Sequence, residues 1–138
     1  MSVADLIEAY ALGDMLMDVD FKDAVTDAMI AGSLTPDNEV YYVPATSDRI
    51  KLYDKTAPGA KIRQALVHLM ATKGATRLVE EQDHPAFLVD VAKKLGEELK
   101  GGKDESVLVA TAKCKYHEHK EGDENCYRTK YAKATFLG

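Results

Sequence analysis

Apolar residues over the first hundred positions recur at three- and four-residue steps and are cut into short runs by glycine and proline. A 3.6-residue period gathers such residues on one stripe of a helix, and the breakers limit each helix to a few turns. The chain is thereby directed towards a stack of short amphipathic helices. In the first run Leu6, Ile7, Tyr10, Ala11 and Leu16 form the stripe, with Asp5, Glu8 and Asp14 between them. Gly13 either weakens the middle of that helix or marks a close contact. Asp18 or Asp20 caps a second helix with Phe21, Ala24, Val25, Ala28 and Met29 on one side, and Gly32 stands where a C-cap glycine would end it. A short link between two such helices predicts an antiparallel hairpin.

Residues 33–47 change character. Ser33-Leu-Thr-Pro-Asp-Asn38 is turn chemistry, and Glu39-Val-Tyr-Tyr-Val-Pro44 is extended and apolar. Pro44 argues against a central strand, so the stretch reads as a loop packed on the helices. A third helix starts at Thr46 or Ser47 and runs through Ile50, Leu52 and Tyr53 until Thr56-Ala-Pro-Gly59 breaks it. The fourth spans Ala60 to Thr72, and Ala75–Glu81 reads as a short helix. His84-Pro85 opens the fifth, because proline suits the first helical position; Leu88, Val91, Ala92, Leu95 and Leu99 form its stripe. Gly101-Gly-Lys-Asp-Glu-Ser106 is a flexible link, and Val107-Leu-Val-Ala110 is compatible with a short strand. The expected fold is mainly α: antiparallel hairpins of about five helices over residues 1–100, a linker over 101–106, and a small irregular tail over 107–138.

That tail carries the sharpest chemical signal. Both cysteines and two of the four histidines lie in Cys114-Lys-Tyr-His117-Glu-His119-Lys-Glu-Gly-Asp-Glu-Asn-Cys126, a C-x2-H-x-H-x6-C spacing. Four such ligands in one short window suit a single tetrahedral zinc ion, and with no open position the site would be structural. The two histidines at i and i+2 would point to one side of an extended segment, and Gly122 lets the chain turn back to bring in Cys126. Zinc would supply folding energy to a tail with few apolar residues of its own. The spacing differs from that of a DNA-reading finger. The plainer reading is a surface loop with two free thiols and two solvated histidines. A thiolate–imidazolium pair between His117 and Cys114 or Cys126 is the enzymatic alternative, disfavoured because all the groups are local.

Charge narrows the partners. Of the net −5, residues 1–99 hold 10 Lys/Arg against 17 Asp/Glu, while residues 100–138 hold 8 against 6. An acidic body disfavours binding by phosphate neutralisation. A nucleic-acid role would rest on Lys113, Lys115, Arg128, Lys130 and Lys133 in the tail. No basic leader precedes the first acidic residue, and no apolar run approaches the roughly 20 residues that span a bilayer. An intracellular setting, cytoplasm or nucleus, is expected, where two cysteines serve as ligands or free thiols rather than a disulfide.

The remaining candidates have structural readings. His68 suits a core boundary and His84 a helix cap. Tyr41 and Tyr42 suit a core lid better than a recognition patch, and Met15, Met17, Met29 and Met70 suit packing. No phosphate-binding loop, nucleophile elbow or metalloprotease helix is present.

The stretch Leu6-Ile-Glu-Ala-Tyr-Ala-Leu-Gly-Asp-Met-Leu-Met-Asp-Val-Asp-Phe-Lys-Asp-Ala-Val-Thr-Asp-Ala-Met-Ile30 resembles the region just after the BTB/POZ core in fungal BTB-domain proteins. Ile50-Lys-Leu-Tyr-Asp-Lys-Thr56, then Lys61-Ile-Arg-Gln-Ala-Leu66, and the C-x2-H-x-H…C ending are similar to that family in the same order. The resemblance covers most of the chain. It implies a BACK-like helical extension in an adaptor or scaffold, with no catalytic residue and with a BTB core or cullin-type scaffold as partner. The dimerising and main cullin-binding surface of the core would lie outside this sequence, so the chain would be a fragment or a stand-alone helical part. The function expected is a non-enzymatic protein–protein interaction module with a structural zinc site. Its docking face would be the first two helices, charged by Glu8, Asp14, Asp18 and Asp20. The alternatives are a small zinc or thiol enzyme using the 114–126 cluster, and a nucleic-acid binder using the tail.

Overall fold

The computed structural model describes residues 2–40, 42–72, 75–100 and 106–137, the last five of these by backbone alone. The fold is mainly α. The helices are α1 (Val3–Met15), α2 (Val19–Leu34), α3 (Thr46–Lys55), α4 (Lys61–Thr72), α5 (Pro85–Leu99), α6 (Val107–Ala112) and α7 (Tyr127–Leu137), with 3-10 turns at Ala75–Leu78 and Asp123–Asn125. The five helices expected over residues 1–100 are α1–α5. Two more helices occupy the segment expected to be irregular.

Local capping explains the boundaries. Ser2 and Asp5 form a capping box on α1, Asp18 Oδ1 accepts from the Phe21 N–H (3.0 Å) to start α2, and His84 Nδ1 accepts from the Ala86 N–H (3.1 Å) beside Pro85. Gly32 does not end α2. The helix continues to Leu34 and stops at an extended Thr35, because Pro36 disfavours helical geometry in the residue before it. Val107–Ala110 is helix rather than strand: Ser106 Oγ caps it from the Val109 N–H (3.2 Å), and no strand is available among the described residues to pair its backbone.

The core surrounds α4, where Ile62, Ala65, Leu66, Val67, Leu69 and Met70 are buried. α1 packs on α2 and α3, and α2, α5 and α6 pack on α4. Gly13 marks a close helix contact: a Cβ there would sit 2.8 Å from Phe21 Cδ1. Val107, Ala110 and Tyr116 belong to the same core cluster, so the C-terminal segment is packed against the body. His68, buried on α4, hydrogen-bonds the Tyr116 hydroxyl across that contact.

Several expected packing roles are redistributed. On α5 Phe87 and Val91 are buried and Leu88 and Leu95 pack on the core, while Ala92 and Leu99 of the expected stripe are exposed. Met29 and Met70 are core, whereas Met15 and Met17 are exposed at the tip of the α1–α2 hairpin. Tyr42 is exposed and so is no core lid; Tyr41 lies outside the described residues. Among the described residues, Val43 and the buried Pro44 tie that loop to the body.

A buried ion pair holds the loops around α3. Arg49 Nε and Nη2 donate to the two oxygens of Asp83 (2.9 and 2.8 Å), Nη1 donates to the Pro44 carbonyl (2.7 Å) and Nη2 also to the Leu78 carbonyl (3.1 Å). One guanidinium thus satisfies two connecting segments that have no ladder of their own. No described helix is long and apolar enough to cross a membrane.

Candidate metal centre

The four residues of the C-terminal window come together. Cys114, His117, His119 and Cys126 each place a ligand atom within 4.8 Å of the other three. They form a Cys2His2 group able to hold a metal ion.

Turn geometry, not an extended strand, assembles it. Cys114 ends α6 in left-handed backbone, φ +61°. Its N–H bonds the Thr111 carbonyl (3.1 Å) and the Lys115 N–H bonds the Ala110 carbonyl (3.0 Å). That is a Schellman cap with cysteine where glycine is usual, a conformation costing roughly 1–2 kcal/mol in an L residue. The side chain is therefore retained at a backbone position that disfavours it. The His117 N–H then closes a turn on the Cys114 carbonyl (3.1 Å). Gly122 has φ +111°, which only glycine adopts readily, and reverses the chain into the Asp123–Asn125 turn. Cys126 sits at the start of α7, its carbonyl accepting from the Thr129 N–H (3.1 Å).

Each histidine has one nitrogen held and one left for the site. His117 is buried, and its Nε2–H donates to Asp27 Oδ1 (2.8 Å), which leaves Nδ1 at 3.6 Å from Cys126 Sγ. His119 Nδ1–H donates to the Lys120 carbonyl (2.6 Å), and its buried Nε2 has no hydrogen-bond partner. A buried nitrogen with a free lone pair is expensive unless something occupies it. Nε2 of His119 is therefore the atom whose surroundings most call for an ion.

The thiols are unequal. Burial, and then the hydrogen bond and charge of Cys126, push the Cys114 thiol up to about 11. Burial also opposes ionisation of Cys126. Hydrogen bonds from the Arg128 backbone N–H, the Cys114 thiol and the Arg128 side chain outweigh it and lower that thiol. Cys126 is thus the thiol of the pair that ionises more readily, and binding an ion displaces thiol protons. For His117, burial disfavours the charged ring, but Asp27 and the Asp23 charge outweigh it and raise its pKa.

Sequence reasoning missed the supporting shell. Asp27 on α2 accepts from His117, from the Tyr127 hydroxyl (2.7 Å) and at longer range from Arg128 (3.5 Å). Buried Asp23, one turn earlier, accepts from the Glu118 N–H (2.6 Å), and burial raises its carboxyl above the ordinary range. These residues lie about ninety positions from the window, beyond any local spacing. The available signal was two aspartates at i and i+4 flanking Ala24, Val25 and Thr26 in α2. Arg128 and Lys130, candidates for nucleic-acid contact, are instead paired with Asp27 and Asp20.

A carboxylate behind a ligating histidine fixes its tautomer, and losing it costs roughly 10–100-fold in metal affinity. Asp27→Asn is therefore expected to weaken metal binding by about that factor with all four ligands intact. Competition against a chromophoric chelator measures it, and unchanged affinity would show that Asp27 does not support the site.

Comparison of the chain with family models, with curated proteins and with solved structures yields no match.

Proposed function

We propose that the chain is a non-enzymatic helical interaction module whose C-terminal segment is pinned by a structural zinc ion. The observation that carries the interaction reading is the tip of the α1–α2 hairpin. Met15, Leu16 and Met17 are 81%, 67% and 85% exposed, with Leu12 and Phe21 beside them on the two helices. A run of large apolar side chains left in water at one point is unfavourable unless a partner covers it, and methionine adapts to such contacts. The acidic residues contribute less than their number suggests. Glu8, Asp14 and Asp20 pair with Lys51, Lys22 and Lys130, and Asp18 caps α2.

Zinc is the ion the donor set favours, because two sulfurs and two imidazoles are its usual structural ligands. Bond lengths of about 2.3 and 2.05 Å at a tetrahedral angle put S and N about 3.6 Å apart, the separation of Cys126 Sγ and His117 Nδ1. Four protein ligands leave no position for substrate, and Cys126 is 3% exposed, which argues against a thiol enzyme.

The resemblance to post-BTB helices of fungal BTB/POZ proteins makes a BTB core or a cullin-type scaffold the partner to try first. Titration of purified candidates, read by light scattering, is expected to give a complex that Met15→Glu/Leu16→Glu abolishes with helical content unchanged. A complex indifferent to that double substitution would rule out the hairpin tip as the docking face, and no complex with either candidate would remove both as partners.

A further inference from the structure

Arg63 is a buried cation with work only for part of its guanidinium. Its Nε donates to Thr56 Oγ1 (2.8 Å) and its Nη2 to the carbonyls of Tyr53 (2.8 Å) and Thr56 (2.6 Å), which closes the C-terminal end of α3. The guanidinium carbon stands 4.4 Å from the centre of the Tyr53 ring. These contacts fix the plane of the group. Nη1 makes no hydrogen bond among the described residues.

Arg63 also lines a cavity of about 330 Å³ between α4, α5 and the segment after α6. Lys93, Lys94 and Lys115 share that lining, with Asp90 and Glu97 the carboxylates among its described residues. Asp90 already accepts from the Tyr53 hydroxyl (2.6 Å). The cavity's described lining thus holds four cations against two carboxylates, in a chain of net charge −5. The first N–H of α4 is capped by the Glu118 carboxylate (2.9 Å), so any preference for anions comes from the side chains. Val67 and the ring of Tyr116 supply apolar lining.

We propose that this cavity binds a small organic phosphate. A guanidinium held in plane with Nη1 unused is suited to phosphate oxygens, and ammonium groups around it supply further charge. The volume is at the lower end of ligand pockets, which selects a ligand of small-metabolite size. A nucleic-acid strand would instead need a stripe of cations, and the nearest basic helix has Arg128 and Lys130 committed to Asp27 and Asp20. This inference does not draw on the hairpin tip, but Lys115 and Tyr116 lie between Cys114 and His117, so it is tested on protein with the metal centre undisturbed.

The test uses the full chain and backbone amide shifts, titrated with glycerol 3-phosphate, with inorganic phosphate and with a short single-stranded oligonucleotide. Glycerol 3-phosphate should saturate at one per chain, with shifts centred on Gly59–Val67, Lys93, Lys94 and Lys115, and should bind more tightly than inorganic phosphate. Lys93→Glu/Lys115→Glu changes two exposed positions, so the fold should persist, while affinity falls by about tenfold or more. Three results would each overturn the proposal: no saturation in the millimolar range, shifts scattered over surface lysines, or affinity unchanged by the double substitution. Tighter binding of the oligonucleotide with shifts on α7 would overturn it in favour of a polyanion.

Discussion

Purified without added metal, the chain is expected to carry one zinc ion, and removing that ion should weaken exchange protection over residues 106–137 while leaving α1–α5 folded and the tail still packed through Val107, Ala110 and Tyr116. A ligand present at a thousand times its dissociation constant stabilises the state that binds it by about 4 kcal/mol, so a strong chelator should lower apparent stability by at least that order. Cys114→Ser and Cys114→Gly should both lose the ion, and the difference between them is the sharper test. Cys114 occupies left-handed backbone, φ +61°. Serine keeps that strain and glycine relieves it, so in metal-free protein the glycine variant should be more stable by roughly 1 kcal/mol. Elemental analysis gives the stoichiometry, and amide exchange across 106–137 gives the order. Protein that holds no metal, with exchange protection in the tail unaffected by chelator, would eliminate the structural ion.

Arg49→Ala should be the most damaging single substitution in the body. Arg49 and Asp83 are 1% and 2% exposed, and deleting one member of a buried pair leaves the other charge uncompensated, at about 3–5 kcal/mol. The Pro44 and Leu78 carbonyls would lose their donor as well. Arg49→Met/Asp83→Leu should recover part of the loss by removing both charges. Urea unfolding checks both variants, and a loss under about 1 kcal/mol in Arg49→Ala would show that the pair is dispensable. The acid dependence follows from Asp83. Burial raises its carboxyl, but the bonds from Arg49 and the Glu80 N–H outweigh it and hold the pKa below the ordinary 3.8. A lowered folded-state value means that the clamp stabilises fully above pH 3.8 and is lost as pH falls through the folded-state pKa.

The helices were readable because their causes are local. Asp18, His84-Pro85 and the Thr35-Pro36 stop act within a few residues, and apolar spacing finds Ile7 and Tyr10 on α1, Val25 and Met29 on α2 and the core side of α4, although Leu16, Phe21 and Ala28 of the expected stripes are exposed. Gly32 does not end α2 because the local stop lies three residues further on at Thr35-Pro36, whereas the states of Val107–Ala110 and Leu99 depend on whether a strand partner or a covering neighbour is present after packing. The Cys/His group was readable for the same reason as the helices: its four residues lie within thirteen positions, so their meeting needed only turns.

What the sequence determined by itself was therefore the helical class and the identity of the Cys114, His117, His119 and Cys126 set, since both depend on neighbours along the chain. Tertiary structure alone decided that Asp27 on α2 backs His117, that Arg49 meets Asp83, that Met15–Met17 stay in water, and that four cations share one cavity. Each of those depends on groups 30 to 90 residues apart or on what is left uncovered after packing. Such relations come from burying a common core around α4, and no pattern along the chain encodes them separately.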